Sequence, residues 1–511
     1  MRIARQMTLA TMAEKNARLY PSNTAVVCGN THVTYSAFNH QANRLARIFR
    51  RKGVSKGNRV AILSRNCHRF VEVLFALSKL GAILVPLNWR LSPGELSYIV
   101  RDSDSMILVL GEGLGGVVQT LRDQLSSDIQ IVEVASLYRE ASQEGIGDAD
   151  LSLDVYDDDV VVQMYTAAVE GRPRGAELTH GRYVATATNV TVALSLTNAD
   201  ANLVVVPLFH TFGLDQTIAI LSSGGKSVIL GDFDAAIVSE IIERERVSFL
   251  SSVGQQLPEL VEEMRKNPRD ITSLRIVMGS GASSEIKDAI RGRAPGVRFI
   301  SGVYGQTECG MMATVCDAEE AAARGDRCAG RVVALSEVRI FSEDDVELPP
   351  GQVGEIVVRG PSVMAGYYNL PEVNAETFRN GWLHTGDLGR LDEDGYLHYV
   401  DRKRELIKSG MENVYPQEVE SILVTHPAVK EVAVIGIPDE RWGEAVTAIV
   451  ALRQEGSATS DELIEFCRER IASYKKPKYV RFVDELPKDS AGRIWREQVK
   501  AKHGYGLARP D

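Results

Sequence analysis

Residues 165–175 read YTAAVEGRPRG. The apolar residues 160–164 before them are typical of a buried strand, and Thr179 followed by His180 indicates a helix start with Thr179 as its N-cap. Loops between a strand and a helix often bind phosphate, because their backbone N–H groups can point at the anion. The segment therefore predicts a phosphate-binding loop within an α/β fold.

The composition of this loop departs from that role. Ala167, Ala168 and Val169 bring neither hydroxyl groups nor the flexibility of glycine, and Glu170 adds a negative charge. By itself, the segment also fits an ordinary connection between a strand and a helix. The motifs elsewhere in the chain favour the phosphate-binding interpretation.

These motifs follow one another downstream: YGQTE at 304–308, GE at 354–355, WLHTGD at 382–387, DRKRELIKSG at 401–410 and LPKDSAGR at 486–493. In this order and spacing they resemble the adenylate-forming superfamily, which contains acyl-CoA synthetases, luciferases and peptide-synthetase adenylation domains. The resemblance covers residues 34–496, nearly the whole chain. ENVYP at 412–416 and PDERWGE at 438–444 are more similar to acyl-CoA ligases than to domains that load carrier proteins.

Chain length and patterning predict the domain organisation. The chain has 511 residues, which exceeds what one hydrophobic core usually supports. Strand-like runs such as 60–63, 107–110 and 203–206 alternate with helical patterns. We predict an α/β fold with a large N-terminal multi-subdomain α/β domain (1–400) and a small mobile C-terminal α+β domain (405–511). The resemblance implies a hinge at 401–404, with Arg404 as the hinge residue.

Composition excludes several other classes of protein. The formal net charge is −10, and no cluster of Lys and Arg is long enough to indicate a nucleic-acid-binding surface. No apolar run reaches the roughly 20 residues that span a bilayer. The six scattered cysteines form no metal-binding pattern, and we interpret Cys309 as a packed residue rather than a nucleophile. These features predict a soluble cytoplasmic protein.

The resemblance implies two half-reactions in one site. A carboxylate first attacks the α-phosphate of ATP, which gives an acyl-adenylate and pyrophosphate; the C-terminal domain then rotates, and the thiol of CoA displaces AMP. The nucleotide-binding residues that the resemblance implies are Thr166, Tyr304 (stacking on adenine), Gly305, Gln306, Thr307 (α-phosphate), Glu308 (Mg²⁺ ligand), Asp387 and Arg402 (both ribose).

The acyl group would lie near PLFHTFG at 207–213. There the resemblance implies that His210 is a gate or a neighbour of the acyl carbonyl; a packed core histidine is the alternative. The residues expected to line the acyl pocket are Phe209, Gly279, Gly281, Gly302 and Met311. Glycine would permit close approach of the backbone there.

For thioester formation, the resemblance implies a loop with Lys408 and Gly410 that rotates into the site. Met411 stands where the family commonly has a second glycine, so a narrower pantetheine channel is expected. The positions expected to contact CoA are Arg90, Trp442 and Lys476, and each also fits an ordinary surface residue.

Two of the groups needed for adenylation are altered. By resemblance, Ser, Gly, Thr and Thr are expected at 167–170, and a catalytic Lys is expected where Arg493 stands. Each lost donor to a charged oxygen costs about 1.5–3 kcal/mol. A carboxylate about 4 Å from a phosphate repels it by roughly 4 kcal/mol at an effective dielectric constant of 20. The planar guanidinium of Arg493 does not simply replace a compact ammonium.

These substitutions predict an enzyme that mainly converts acyl-AMP and CoA to acyl-CoA and AMP, with adenylation impaired or lost. A separate adenylating enzyme would then supply the acyl-adenylate. A complete ATP-dependent carboxylic acid–CoA ligase that uses Mg²⁺ is the first alternative. A non-catalytic partner that only binds acyl-adenylate is the second.

Overall fold

The structure is a computed structural model. It describes residues 7–125, 127–143, 147, 151, 154–166, 172–253, 255–279, 282–325, 328–402, 407–410, 412–414, 416–454, 457–488, 494 and 496–504, without the side chains of residues 401, 402, 413, 417 and 497.

The helices in these ranges are α1 (Leu9–Leu19), α2 (Tyr35–Arg51), α3 (His68–Leu80), α4 (Pro93–Asp102), α5 (Gly115–Gln124), α6 (Val134–Ala141), α7 (His180–Leu194), α8 (Thr211–Ser222), α9 (Ala235–Glu245), α10 (Gln256–Lys266), α11 (Ser284–Arg291), α12 (Ala318–Arg324), α13 (Pro371–Thr377), α14 (Pro416–Leu423), α15 (Ser460–Arg468) and α16 (Arg496–His503). The strands in the same ranges are β1 (Thr24–Cys28), β2 (Thr31–Thr34), β3 (Arg59–Leu63), β4 (Ile83–Leu87), β5 (Ser105–Leu110), β6 (Gln130–Glu133), β7 (Val160–Thr166), β8 (Arg174–Thr179), β9 (Ala201–Val204), β10 (Lys226–Ile229), β11 (Phe249–Ser252), β12 (Ile276–Gly279), β13 (Arg298–Gln306), β14 (Gly310–Asp317), β15 (Cys328–Val332), β16 (Glu337–Phe341), β17 (Gly354–Arg359), β18 (Gly366–Tyr367), β19 (Phe378–Arg379), β20 (Trp382–Leu391), β21 (Tyr396–Arg402), β22 (Ile407–Ser409), β23 (Glu412–Val414), β24 (Val429–Asp439), β25 (Gly443–Leu452) and β26 (Tyr479–Val483).

One sheet has the spatial order β18-β8-β7-β4-β3-β5-β6. Its strands from β7 to β6 are parallel, but β8 runs antiparallel to β7, with Thr166 opposite Arg174. The predicted order of strand, loop and helix is therefore wrong, because β8 lies between the loop and α7. The predicted cap is confirmed, since the Thr179 hydroxyl accepts a hydrogen bond from the backbone N–H of Arg182.

The larger sheet has the order β16-β17-β20-β21-β15-β14-β13-β12-β11-β9-β10-β1-β2, and β19 pairs with β20. Neighbouring strands from β13 through β12, β11, β9 and β10 to β1 are parallel. Neighbouring strands from β13 through β14, β15, β21, β20 and β17 to β16 are antiparallel. Apolar residues of α1, α2, α3, α7 and α8 form one core with residues from both sheets. This core fixes β7, α8, the β13–β14 turn and β20 relative to one another.

The C-terminal segment has its own sheet, β23-β22-β25-β24, with β26 parallel to β25. Its apolar residues form a separate core that includes Val419, Val434 and Leu463. The predicted helices at 416–425 and 460–473 and strands at 432–437 and 447–452 are present, although both helices are shorter and both strands longer than predicted. The predicted fold class is confirmed: a large N-terminal α/β part precedes a smaller C-terminal α+β part.

The two parts meet between β21 and β22. Strand β21 of the large sheet ends at Arg402, and β22 of the C-terminal sheet begins at Ile407. Arg404 lies outside the described residues, so the hinge stays a prediction. Among the described residues, no helix combines the length and the apolar character that a membrane crossing requires.

His180, the first residue of α7, is fully buried and joins that helix to α1. Its Nδ1 accepts a hydrogen bond from the backbone N–H of Leu9 at 3.3 Å, so the proton of the neutral ring is on Nε2. Burial lowers the pKa of His180 to about 3. Protonating the ring would charge a buried group and break the bond to Leu9, so the imidazole stays neutral in the folded state.

This histidine should make the protein sensitive to acid. Because the pKa of His180 is lower in the folded state than in the unfolded chain, the unfolded state takes up the proton first, and stability is lost as pH falls below about 6.5. At pH 5.5 the expected loss is about 1.4 kcal/mol relative to neutral pH. We expect His180→Gln, whose amide oxygen can still accept from Leu9, to flatten the fall in thermal unfolding midpoint between pH 7.5 and 5. The same substitution at exposed His40 should leave that fall unchanged. Parallel pH profiles for wild type and His180→Gln would contradict the assignment.

Candidate active site

The predicted nucleotide site begins with Asp387, which lies within β20 and is 3% exposed. Tyr304 and Gln306, at the end of β13, both donate to its Oδ2, from Oη at 3.0 Å and from Nε2 at 2.5 Å. Burial and the charge of Asp387 hold the pKa of Tyr304 well above its usual range, so the phenol remains a donor. Two residues of the YGQTE motif are thus brought together around the carboxylate of the WLHTGD motif.

Thr307 and Glu308 lie in the turn between β13 and β14. The carboxylate of Glu308 accepts hydrogen bonds from the hydroxyl of Tyr367 at 2.8 Å and from that of Thr166, the last residue of β7, at 3.3 Å. The Thr211 hydroxyl donates to that of Thr307 at 3.0 Å. The residue before the predicted phosphate loop, the turn and the first residue of α8 therefore meet at one place.

A buried ion pair lies beneath this turn. Arg182 of α7 and Asp215 of α8 are 0% and 1% exposed, and the guanidinium Nη1 donates to the carboxylate. Nη2 of Arg182 also donates to the carbonyl of Thr307 at 3.3 Å, and Asp215 accepts from the backbone N–H of Met311 at 3.0 Å. Burial opposes the charged form of Arg182, but Asp215 outweighs it and raises the pKa of the guanidinium. The pair thus holds both ends of the turn that carries Thr307 and Glu308.

The C-terminal domain contributes Glu412 to the same region. Its carboxylate pairs with Arg90 and lies 3.5 Å from Nε2 of His210, which precedes α8. Burial opposes ionisation of Glu412, but His210 and Arg90 together lower its pKa. Among the positions predicted for acyl and CoA binding, the structure thus joins Arg90 and His210 through a residue to which the sequence assigned no role.

Gly410 forms the turn between β22 and β23, with φ of +66°. Its N–H donates to the carbonyl of Trp442 at 2.6 Å, and a Cβ at this position would lie 3.5 Å from the indole ring. A side chain there would be strained by the backbone conformation. The side chain of Lys408 points towards Tyr399 of the large sheet, with Nζ 5.9 Å from the ring centre.

Trp442 is at the centre of a basic patch. Nζ of Lys478 and the guanidinium of Arg441 lie 4.6 and 4.8 Å from its ring centre. Burial, followed by the charges of Lys476 and Arg441, lowers the pKa of Lys478. Lys478 and Arg441 beside the ring, together with the nearby charge of Lys476, repel one another and would be stabilised by an anionic ligand.

The glycines predicted to line the acyl pocket have a different immediate role. A Cβ on Gly302 would lie 2.4 Å from Sγ of Cys316, and one on Gly279 would lie 1.8 Å from the carbonyl oxygen of Ser252. Both contacts are to neighbouring strands of the same sheet, so the lining of the acyl pocket stays a prediction. Phe209 is buried with its ring 4.6 Å from that of His210, and Met311 is also buried.

Several predicted features are not placed by the structure. Gly281, Met411, Arg493 and residues 167–171 lie outside the described residues, as does the side chain of Arg402. No group of three or more His, Cys, Asp or Glu side chains arranged to hold a metal occurs in the described part of the chain. Cys309 is fully buried, and burial raises the pKa of its thiol to about 12, which agrees with a packing role.

Comparison with known families decides the assignment. The model of the AMP-binding enzyme family matches residues 13–368, and that of the AMP-binding enzyme C-terminal domain matches residues 418–493. The chain belongs to the AMP-binding enzyme family. Its relatives within this family support the acyl-CoA ligase branch, as the sequence motifs predicted.

One relative is a feruloyl-CoA synthase from Amycolatopsis, 36% identical over 501 residues that cover 98% of this chain and 100% of the relative. Among solved structures, a double mutant of o-succinylbenzoate CoA synthetase from Bacillus subtilis, bound with a product analogue, is 30% identical and has a TM-score of 0.86. That match covers 97% of this chain and 98% of the other. The same enzyme in complex with ATP and magnesium ion, 30% identical over 96% of this chain and 99% of the other, has a TM-score of 0.69.

Sequence reasoning missed four residues of the site: Arg182, Asp215, Tyr367 and Glu412. Glu412 is the first residue of the ENVYP motif and follows the predicted Gly410 turn by two positions, and these are the signals that could have found it. The other three belong to no motif with a recognisable spacing. They become visible only when α7, α8 and β18 are packed around the β13–β14 turn.

Proposed function

We propose that this AMP-binding enzyme is an ATP-dependent carboxylic acid–CoA ligase acting on an aromatic acid of the hydroxycinnamate type. The observation that carries the proposal is the hydrogen bond between Thr211 and Thr307. It joins the nucleotide side of the site to His210, the residue before Thr211. A carboxylate bound beside His210 would then lie next to an α-phosphate at Thr307. The feruloyl-CoA synthase relative supports the choice of acid.

In the first step, Asp387 would accept hydrogen bonds from the ribose hydroxyls while Tyr304 and Gln306 hold its carboxylate in place. Thr307 would donate to the α-phosphate. Glu308 and the nearby Thr166 offer the oxygen ligands that Mg²⁺ prefers, and Mg²⁺ commonly takes only one or two carboxylates together with substrate phosphates. The ion would neutralise charge on the phosphates.

In the second step, the C-terminal domain would present Gly410 and Glu412 to the acyl-adenylate. The small Gly410 turn beside Trp442 leaves room for a thiol-bearing arm, and Arg441, Lys476 and Lys478 would bind the phosphates at the nucleotide end of CoA. Glu412 would hold His210 through their contact, with Arg90 fixing the carboxylate from the other side.

The similarity scores support a domain arrangement suited to this second step. The Bacillus subtilis enzyme matches this chain with a TM-score of 0.86 in its product-analogue complex but 0.69 in its ATP complex, at the same sequence identity and almost the same coverage. A difference of this kind between two forms of one enzyme fits a change in how its domains are arranged. This chain is closer to the product-bound arrangement.

The comparisons favour the complete ligase over the split activity that the loop composition predicted. The relative that covers 98% of this chain is named a feruloyl-CoA synthase, a name that describes synthesis of the thioester as a whole rather than one half-reaction. No separate adenylating partner is needed for this function. Residues 167–171 and Arg493 remain the features that favour a thioester-forming enzyme with impaired adenylation.

Pyrophosphate exchange tests the proposal. With ferulate, ATP and Mg²⁺, we expect exchange of labelled pyrophosphate into ATP, and formation of feruloyl-CoA when CoA is added. Glu308→Gln should slow the exchange by about 100-fold, because it removes the carboxylate charge that would bind Mg²⁺ for adenylation. The same variant should affect the conversion of synthetic feruloyl-AMP and CoA much less. Turnover of feruloyl-AMP without any ferulate-dependent exchange would overturn the complete ligase and favour the split activity.

A further inference from the structure

Lys475 forms a buried charge cluster with one carboxylate from each domain. The residue is 3% exposed and lies between α15 and β26. Its Nζ is 2.6 Å from Oε1 of Glu95 on α4 of the N-terminal domain and 2.7 Å from Oε1 of Glu418 on α14 of the C-terminal domain. The positive charge of Lys475 in the C-terminal domain is therefore neutralised in part by a carboxylate of the N-terminal domain.

A buried ammonium is costly unless it is paired and hydrogen-bonded. Glu95 is itself held in place, because its Oε2 accepts from the backbone N–H and the hydroxyl of Ser92 in the capping box of α4. The partner that the N-terminal domain offers to Lys475 is thus fixed before the domains meet. Bringing α14 and Lys475 onto the start of α4 places Nζ within hydrogen-bonding distance of both carboxylates.

The same arrangement places the hairpin formed by β22 and β23 at the candidate active site. Helix α14 begins two residues after β23, and β23 starts at Glu412, which contacts Arg90 and His210. Asn88 adds a further contact between the domains, from Nδ2 to the Tyr474 hydroxyl at 3.5 Å. The cluster and the hairpin are therefore coupled, because Glu418 of the cluster follows Glu412 by six positions in the sequence.

We propose that Glu95, Lys475 and Glu418 form an inter-domain latch whose role is to position the C-terminal domain for thioester formation. The latch residues are positioning residues, since their side chains bond to one another and to Ser92 rather than to the residues assigned to substrate binding. This inference rests on the proposed function in requiring a second step with CoA. It predicts that the latch contributes to the CoA-dependent step. Binding of the acyl-adenylate depends on the N-terminal domain and does not require the latch.

The charges of the latch indicate which variants will be informative. Burial raises the pKa of Glu418 to about 7, whereas Lys475 and Ser92 outweigh the burial of Glu95 and lower its pKa. Glu95 is thus the main counter-charge to Lys475, and a neutral residue at 418 is tolerable. Lys475→Glu, by contrast, would bring a third carboxylate against Glu95 of the N-terminal domain and Glu418 of its own domain.

The first experiment measures CoA-dependent release of AMP from synthetic feruloyl-AMP. We expect Lys475→Glu to slow this step at least about 30-fold, since removing one partner of a buried pair is strongly unfavourable. Glu418→Gln should slow it no more than about threefold. The exchanged pair Glu95→Lys/Lys475→Glu restores one cation between two carboxylates, and should recover most of the rate.

The matched control is Lys226→Met. It breaks the ion pair between Lys226 and Glu245, which lies wholly within the N-terminal domain. This control should leave AMP release unchanged. Affinity for feruloyl-AMP without CoA should be the same in all of these variants, which a general folding defect would not allow.

Small-angle X-ray scattering gives a readout that does not depend on activity. Wild type should match the docked arrangement of the domains, Lys475→Glu should depart from it, and the exchanged pair should return to it. If wild type fails to convert feruloyl-AMP but the scattering changes as expected, the proposed function is overturned and the latch is supported. Unchanged scattering, or unchanged AMP release in Lys475→Glu with an active wild type, would overturn the latch.

Discussion

Replacing Arg182 by methionine is expected to lower the free energy of unfolding by about 3–5 kcal/mol, because it leaves a buried carboxylate without its counter-charge. Asp215 is 1% exposed, so water cannot replace the guanidinium. The substitution also removes the donor to the Thr307 carbonyl. We therefore expect loss of both stability and activity, measured by thermal unfolding and by turnover of feruloyl-AMP and CoA.

A second substitution separates these two losses. Arg182→Met/Asp215→Leu removes both charges and should recover much of the stability, since apolar replacement of a buried ion pair is often tolerated. Affinity for feruloyl-AMP should stay low, because the N–H of Met311 and the carbonyl of Thr307 remain without their partners. The control is Arg275→Met, which breaks a more exposed pair with Asp200 and should have a smaller effect. Affinity that returns together with stability would show that the pair has no positioning role.

The fold could be predicted from the sequence because its strands are marked by short apolar runs. Strand β7 is one such run, and Thr179 marks the start of α7 through its side-chain chemistry. Strand β8 was missed because its residues, RGAELT, are half polar and include a glycine. It is held as a strand by pairing with β7 and by the contact of Glu177 with Arg59 of β3, both of which depend on tertiary structure.

In the candidate site, too, some features could be predicted from the sequence and others depend on tertiary structure. Tyr304, Gln306 and Asp387 could be predicted because each belongs to a motif, and the structure brings them within hydrogen-bonding distance. The order of the motifs does not reveal that two of these side chains bind the third. Gly302 was predicted to line the acyl pocket, whereas its contact with Cys316 depends on the register between β13 and β14.

Contacts between the domains were the least predictable part. Glu95 and Lys475 are 380 residues apart in sequence, and neither stands in a motif that the resemblance identifies. A buried lysine is also rare unless it is paired, so composition favours an exposed position for Lys475. Local patterns constrain what lies within one element or one turn. The pairing of charges across a domain interface is determined by rigid-body docking, which these patterns do not encode.

Replacing Asp387 by alanine should weaken binding of the acyl-adenylate by about 100-fold or more, because each hydrogen bond from a ribose hydroxyl to a carboxylate is worth about 1.5–3 kcal/mol. The substitution would also leave the buried donors of Tyr304 and Gln306 without this acceptor. Since ATP and feruloyl-AMP carry the same ribose, affinity for both should fall by a similar factor. Asp387→Asn, which keeps the shape and one acceptor oxygen, should lie between wild type and alanine. Calorimetric titration with each nucleotide measures these effects.

A modified ligand makes this test specific to the ribose contact. Wild type should bind AMP much more tightly than 2′-deoxy-AMP, and Asp387→Ala should discriminate little between them, because the group that recognises the hydroxyl is gone. Asp392→Asn is the matched control: Asp392 follows β20, where its carboxylate pairs with Arg324 and His398 rather than with Tyr304. It should retain the wild-type preference for AMP. If Asp387→Ala keeps full discrimination while its overall affinity falls, the carboxylate organises the site without touching the ribose.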